Sequence, residues 1–452
     1  MKNKIIKSTI FSVLFCLVGT ITSCTTGNNI SYRDSYQTIE PGEYIPNMDY
    51  TKSLKILCIG NSFSDNAIAY MYPIAKAFGI EEVKIANLYI GGCSLETHAN
   101  NAFSNSASYT YRVVNAETNG VIETAPSNVR MIDGIVDEDW DIITMQQVSG
   151  KSGVASTYNE HLKGLNGYVK DNATNPYAQF GWHMTWAYQQ NSTHTDFRTY
   201  NKDQLGMYYS IRKTTLDCIE NTDMFDFVVP AGTAVQNART SYLGDNLTQD
   251  GYHLNDKGEY IIGLTWIMKI TGLSREDFDE SKVPYAFQHE LDAFFEAAEN
   301  AVKEPYKITN SKILEAPAMP EIDLSKYTVL DWNPVIGYWN SNDGNNYNKL
   351  ITTAGNSLTY MSTETPYTRD DLPIGSIIEL QEGWAYRPEA WVDFNTRQTS
   401  RPDVCQESRV FIDETWWANY QYRAFNVYKI GTNNLTGQEE AVKAAFKIYV
   451  PK

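Results

Sequence analysis

Three features of this 452-residue chain predict an α/β domain on a parallel sheet, followed by a smaller all-β domain. Between residues 53 and 305, apolar strand-like runs alternate with amphipathic segments, the pattern of a sheet covered by helices on both faces. The alternation stops at a Pro-containing linker around Ala316-Pro317-Ala318-Met319-Pro320, and short β-type runs separated by Asn, Asp and Gly turns follow. The length also exceeds what one core usually organises. The expected organisation is a targeting segment over 1–23, a tether over 24–52, the α/β domain over 53–305, a linker over 306–325 and an aromatic-rich β domain over 326–452.

The first predicted strand, Lys55-Ile56-Leu57-Cys58-Ile59, runs through Gly60-Asn61-Ser62-Phe63-Ser64 into a segment with apolar residues at Ile68, Met71, Ile74, Ala75 and Phe78. That spacing is a helical stripe, closed by Gly79. Further strands are predicted over 83–88, 141–145, 180–186 and 226–230, and helices around 126–138, 156–171, 200–221 and 255–271. The last helix has Asn255 as N-cap, Ile261, Leu264, Thr265 and Met268 on one stripe, and Gly272 past its end. In the β domain, strands are expected over 376–380, 409–412 and 444–450, and a sandwich is the leading arrangement. Its Trp332, Trp339, Trp384, Trp391, Trp416 and Trp417 either fill a small core or a contact with the α/β domain, or offer rings for stacking on sugars. If Trp416 and Trp417 share a strand, successive side chains face opposite ways and one of them leaves the core.

Two short motifs carry chemistry. Ser62 sits at a strand-to-helix turn, where a helix N-terminus offers free N–H groups to a developing anion. An alcohol is a poor nucleophile until a base takes its proton, and Asp250-Gly251-Tyr252-His253 supplies one. His253 is the candidate base, and Asp250, three residues earlier, is placed to orient it. Taken singly, each motif also has a plain structural meaning: the Gly-x-Ser turn with Ser64 or Asp65 as a helix cap, and Asp-x-x-His as a chance spacing. Their order along the chain, each at a strand end or before a helix, makes the conjunction specific.

At these residues the chain resembles the SGNH (GDSL-like) hydrolase superfamily, and within it a secreted bacterial branch whose first block reads Gly-Asn-Ser-Phe-Ser. The resemblance spans roughly residues 53 to 300. It implies a three-layer, flavodoxin-like domain and a serine esterase with Ser62, His253 and Asp250 as its catalytic residues. It also implies oxyanion donors at the glycine of Leu88-Tyr89-Ile90-Gly91-Gly92-Cys93, where Gly92 is favoured over Gly91, and at an Asn of a Gly-x-Asn-Asp block. That block is absent, and Gln146-Gln147 follow the strand instead. A Gln amide can donate the same bond, so the role is assigned to Gln146, with Gln147 as rival. Asn61 replaces the usual Asp before the nucleophile, a position with no proton-transfer task.

Composition narrows the setting. Lys2, Lys4 and Lys7 precede an apolar Ile10–Val18 stretch too short to span a bilayer as a mature helix, and Ile21-Thr22-Ser23-Cys24 resembles a bacterial lipobox. Lipidation at Cys24 would anchor the protein in the bacterial cell envelope, on the periplasmic face or the outer surface of the outer membrane. With 37 basic and 54 acidic residues, the formal charge of −17 becomes −20 once residues 1–23, with three Lys and no acid, are lost. Nucleic acid is therefore an unfavourable partner. Cys58, Cys93, Cys218 and Cys405 form no Cys-x-x-Cys pair. His98, His161, His183, His194 and His289 show no metal-ligand spacing, so neither metal nor cofactor is expected. The substrate class implied is an acylated carbohydrate, most simply an acetyl ester. The alternatives are a glycan-binding surface lipoprotein without turnover and a lipid esterase.

Overall fold

The computed structural model describes residues 49–118, 120–318, 321–340, 349–352, 359–392, 399–400, 405–406, 408–412, 414–417 and 420–452. Cys24, the targeting segment and nearly all of the tether lie outside the described residues. The α/β part runs β1 (Ser53–Gly60), α1 (Ser62–Ile68), α2 (Met71–Ala77), β2 (Glu82–Tyr89), α3 (Leu95–Ser104), β3 (Ala107–Val114), β4 (Glu123–Arg130), α4 (Met131–Ile135), β5 (Ile142–Met145), α5 (Asn159–Asn172), β6 (Gln179–His183), α6 (Gln204–Thr215), β7 (Phe227–Val229), α7 (Ala231–Ala238), α8 (Asp256–Thr271), α9 (Tyr285–Gln288) and α10 (Leu291–Lys303).

These strands form one sheet in the order β4-β3-β2-β1-β5-β6-β7. β2, β1, β5, β6 and β7 are parallel, whereas β3 and β4 add an antiparallel edge. From Leu57 to Gly60 every residue of β1 is buried, as in a strand covered on both faces. α8 packs against α1, α2, α7 and α10, and a second group joins α3, α4 and α5. The expected three-layer α/β arrangement is the one found.

Three local expectations change. The predicted first helix is two, α1 and α2, because Pro73 in the first turn of α2 lacks the N–H that a continuous helix would use. The segment 126–138, expected as a helix, is strand up to Arg130 and helical only over α4. Its strand half pairs with β3 through a ladder with register shifts, and Pro126 is tolerated there because β4 is an edge. The sheet is thus mixed where a parallel one was expected. By contrast, α8 is capped as predicted: Asn255 accepts from the Gly258 N–H and Gly272 takes φ +73°.

The remainder comprises β8 (Tyr327–Val329), β9 (Pro334–Ile336), β10 (Tyr338–Asn340), β11 (Lys349–Ile351), β12 (Met361–Thr363), β13 (Tyr367–Thr368), β14 (Ile377–Leu380), β15 (Trp384–Trp391), β16 (Thr399–Ser400), β17 (Arg409–Phe411), α11 (Glu414–Trp417), β18 (Tyr422–Lys429), α12 (Glu439–Ala445) and β19 (Phe446–Pro451). The antiparallel sheets β17-β14-β19-β8 and β16-β15-β18-β12-β9 share one core, with Ile378, Phe446 and Ile448 from the first and Tyr386, Phe425 and Val427 from the second. Trp332, Trp339, Trp384, Trp391 and Trp417 are buried, which favours packing over display. Trp416 and Trp417 lie in the short helix α11, not in a strand. Trp417 donates to the Leu372 carbonyl at 2.9 Å, while the half-buried Trp416 lies under the Arg423 guanidinium. The strand expected from Ala444 begins at Phe446, after α12.

Candidate active site

Strand register brings the candidate residues together. Along β1, Gly60 lies beside Tyr89 of β2 and Ile59 beside Met145 of β5. The turns after these three strands therefore open at one edge of the sheet, at the point where the chain has crossed from one side of β1 to the other. This is the place where open α/β sheets bind ligands. Ser62, Gly92 and Gln146 all belong to these turns.

Gly60 is dictated by close approach: a Cβ there would lie 2.0 Å from the Ser64 hydroxyl and 3.3 Å from Gln146 Cδ. Asn61 is the N-cap of α1, its Oδ1 accepting from the Phe63 N–H at 2.9 Å. Ser62 thereby becomes the first helical residue, part-exposed. His253 precedes α8, and its Nε2 lies 2.8 Å from Ser62 Oγ. Its Nδ1 lies 2.7 Å from Asp250 Oδ2, while Asp250 Oδ1 accepts from the backbone N–H groups of Tyr252 (3.1 Å) and His253 (2.8 Å). Gly251, at φ +92°, lets the loop turn back on itself. Burial acts to raise the Asp250 pKa, but the hydrogen bonds from the His253 ring and the two backbone N–H groups outweigh it and hold the carboxyl below its ordinary 3.8. Ser62, His253 and Asp250 thus form one hydrogen-bonded line.

The α1 helix positions both partners. Asn66, one turn past Ser62, accepts from the Leu254 N–H at 3.2 Å and donates to Glu259 on α8, clamping the segment just after His253. Burial pushes the Glu259 carboxyl up to about 8 and that of Asp65, which accepts from Asn87 and Arg112, up to about 6.

At the second turn Gly92 takes φ +62° within the Ile90–Cys93 turn and is exposed, with nothing within 4 Å of a built Cβ. Neither its N–H nor that of Ser62 has an acceptor among the described residues. Asn61 ties this turn to the serine, donating from Nδ2 to the Cys93 carbonyl at 3.1 Å. Burial pushes the adjacent Cys93 thiol up to about 12, so it stays protonated at neutral pH. Among the described residues, Cys58, Cys93 and Cys218 form no disulfide.

The two glutamines have different surroundings. Gln147 uses its full hydrogen-bonding capacity on the chain: Oε1 accepts from Leu95 N (3.0 Å) and Val148 N (2.9 Å), and Nε2 donates to the Thr157 carbonyl (3.2 Å) and hydroxyl (3.0 Å). Gln146, buried beneath the serine turn, accepts at Oε1 from Ser64 Oγ and meets His183 Nδ1, both at 2.9 Å, and donates from Nε2 to Asn61 Oδ1 at 2.8 Å. Its described contacts with the serine turn therefore run through Asn61 and Ser64, the residues on either side of the Ser62-Phe63 pair. Sequence reasoning gave Asn61 no task, although an Asn immediately before a helix is a capping signal. It also missed His183, whose bond to Gln146 depends on a neighbouring strand. Among the described residues no group of three or more His, Cys, Asp or Glu side chains is arranged to hold a metal, and no helix is long and apolar enough to cross a membrane.

The family model described as a domain of unknown function, DUF4886, matches residues 55–286. No curated protein matches the chain. Among solved structures, a DUF4886 family protein from Bacteroides uniformis is 34% identical with a TM-score of 0.52, over 58% of this chain and 99% of its own. A proposed SGNH hydrolase from Slackia heliotrinireducens is 19% identical (TM-score 0.30, 47% of this chain, 96% of its own). An acetylxylan esterase from Geobacillus stearothermophilus is 13% identical (TM-score 0.31, 50% and 98%). The family match covers more than half of the sequence, and the Bacteroides uniformis relative is aligned over nearly its whole length: the chain belongs to the DUF4886 family.

Proposed function

We propose that this protein is a serine esterase of the SGNH kind that removes an acyl group, most simply acetyl, from a carbohydrate. The observation that carries the proposal is the Ser62–His253–Asp250 line, with contacts of 2.8 and 2.7 Å, at the carboxyl edge of the sheet. Ser62 Oγ attacks the ester carbonyl as His253 Nε2 takes its proton, and the Ser62 and Gly92 N–H groups receive the oxyanion. Gln146 supports that site by holding Asn61, which in turn ties the serine turn to the glycine turn. The tetrahedral intermediate collapses with cleavage of the carbonyl-carbon-to-alkoxy-oxygen bond, and His253 returns the proton to the leaving alcohol. Water, deprotonated by His253, then attacks the acyl-Ser62 and releases the acid, with the proton returning to Ser62 Oγ. The carbohydrate as substrate, and a lipid on Cys24 that holds the protein in the cell envelope, rest on the sequence motifs.

The test is hydrolysis of a small activated acetate ester by wild type and Ser62→Ala, followed by a panel of acetylated glycans and long-chain esters. Turnover that disappears in Ser62→Ala supports the esterase. Equal rates in both proteins refute it and return the binding-protein alternative. Preference for long acyl chains returns the lipid esterase.

A further inference from the structure

The leaving alcohol must come within hydrogen-bond reach of His253 Nε2, because that atom returns its proton. The part of the substrate attached to that oxygen therefore lies on the His253 side of Ser62. There the chain supplies two rings that the chemistry above does not use. The Tyr252 ring centroid is 4.1 Å from that of His253, and the His194 ring is 4.5 Å from Tyr252 at an interplanar angle of 60°. Both are part-exposed. Behind them stands the fully buried Tyr188, 4.9 Å from His194, its hydroxyl fixed 2.8 Å from Ser149 Oγ.

The rings are held in place from two loops. Gln189 N–H donates to the Gly251 carbonyl at 2.9 Å and Trp186 Nε1 to the Tyr252 carbonyl at 2.8 Å, so the segment after β6 is fastened to the Asp250–His253 turn. A Cβ on Gly251 would stand 3.1 Å from Ser192 Oγ, which shows how closely the loops meet. Polar capacity is spare: Tyr252 Oη has no partner among the described residues, and His194 Nδ1 accepts from the Asp196 N–H, so the neutral ring keeps its proton on Nε2. The neighbouring Asn191, Thr193 and Thr195 are exposed. Aromatic faces beside unpaired hydroxyl and imidazole donors, with a polar rim, suit a ring with apolar C–H faces and hydroxyl edges rather than an alkyl chain.

We infer that Tyr252 and His194 form the subsite for the alcohol half of the ester and that this half is a pyranose. The inference rests on the serine-esterase reading and adds the position and chemistry of the leaving group. It is tested with a mono-O-acetylated methyl pyranoside and with vinyl acetate, whose alcohol half has no ring. Tyr252→Ala and His194→Ala should each lower the ratio of kcat/KM for the pyranoside to that for vinyl acetate by about 10-fold, chiefly through KM, with Tyr252→Phe retaining most of it. Equal losses on both esters, or none, overturn the subsite while the esterase stands. Binding of the pyranoside to Ser62→Ala by calorimetry gives a readout independent of turnover: adding Tyr252→Ala should weaken it about 10-fold, and unchanged affinity overturns the subsite. Absence of Ser62-dependent hydrolysis of either ester overturns the esterase reading and the inference together.

Discussion

Replacing Asp250 by Asn changes one atom, and the loop geometry fixes which way the new amide points. Asp250 Oδ1 already accepts from the N–H groups of Tyr252 and His253 at 3.1 and 2.8 Å. An Asn keeps its oxygen there and presents its NH2 to His253 Nδ1, where Oδ2 now lies at 2.7 Å. Two donors cannot face each other at that distance, so the imidazole moves its proton to Nε2. Nε2, 2.8 Å from Ser62 Oγ, then has a proton to give and no lone pair with which to take one. The corresponding substitution in a well-studied protease triad costs on the order of 10⁴ in kcat, or about 5.4 kcal/mol of barrier. Asp250→Ala removes the misdirecting donor, and because the Asp250 side chain is 41% exposed, water can enter beside Nδ1. The Ala protein should therefore turn over faster than the Asn protein, the reverse of what side-chain similarity suggests. Steady-state hydrolysis of a small activated acetate, with matching melting curves as the check on folding, measures both. An Asn variant as fast as wild type, or an Ala variant slower than the Asn variant, refutes the orienting role.

Gln146→Ala should lower thermal stability, since the buried Ser64 hydroxyl and His183 Nδ1 lose their common partner at about 1–3 kcal/mol for each group left unsatisfied. If Gln146 also supports the oxyanion, kcat falls by roughly 10²–10³-fold with little change in KM, whereas a kinetic loss confined to Gln147→Ala transfers the role to that residue. Glu259 sets a pH signature. Burial is the main cause that raises its carboxyl from 4.5 to about 8, with the Asn66 hydrogen bond opposing, so the folded state retains a proton that the unfolded chain releases, and stability falls as pH climbs through that window. Glu259→Gln keeps an oxygen for Asn66 and should raise the melting temperature relative to wild type near pH 8 but not near 4.5; a gap that stays constant with pH sinks this account. Cys24→Ala should release the protein from the membrane fraction, and retention of a processed variant defeats the lipid anchor.

What the sequence discloses is what is local in it. Gly60-Asn61-Ser62 and Asp250-Gly251-Tyr252-His253 are each complete within a few residues, and the buried strands β1, β2, β5, β6 and β7 announce themselves as apolar runs, so the placement of Ser62 near His253 was legible. Contacts chosen by the fold were not. Gln146 reaches Asn61 across 85 positions, and nothing near either residue specifies that pairing. The β3–β4 hairpin escaped because its irregular ladder blurs the two-residue period and Pro126 argues against a strand, until β4 is known to be an edge. A tryptophan pair in a segment of short strands invites a strand assignment, yet four residues of helix suffice to bury Trp417 while Trp416 remains under Arg423. The same division explains why Asn61 was undervalued. Read as the neighbour of a nucleophile it has no proton to move, but in three dimensions its side chain meets the α1 N-terminus, the Gly92 turn and the β5 turn at once. A residue with no chemical step of its own can thus fix where the N–H groups of Ser62 and Gly92 stand relative to each other, and an oxyanion site depends on that spacing as much as on its donors.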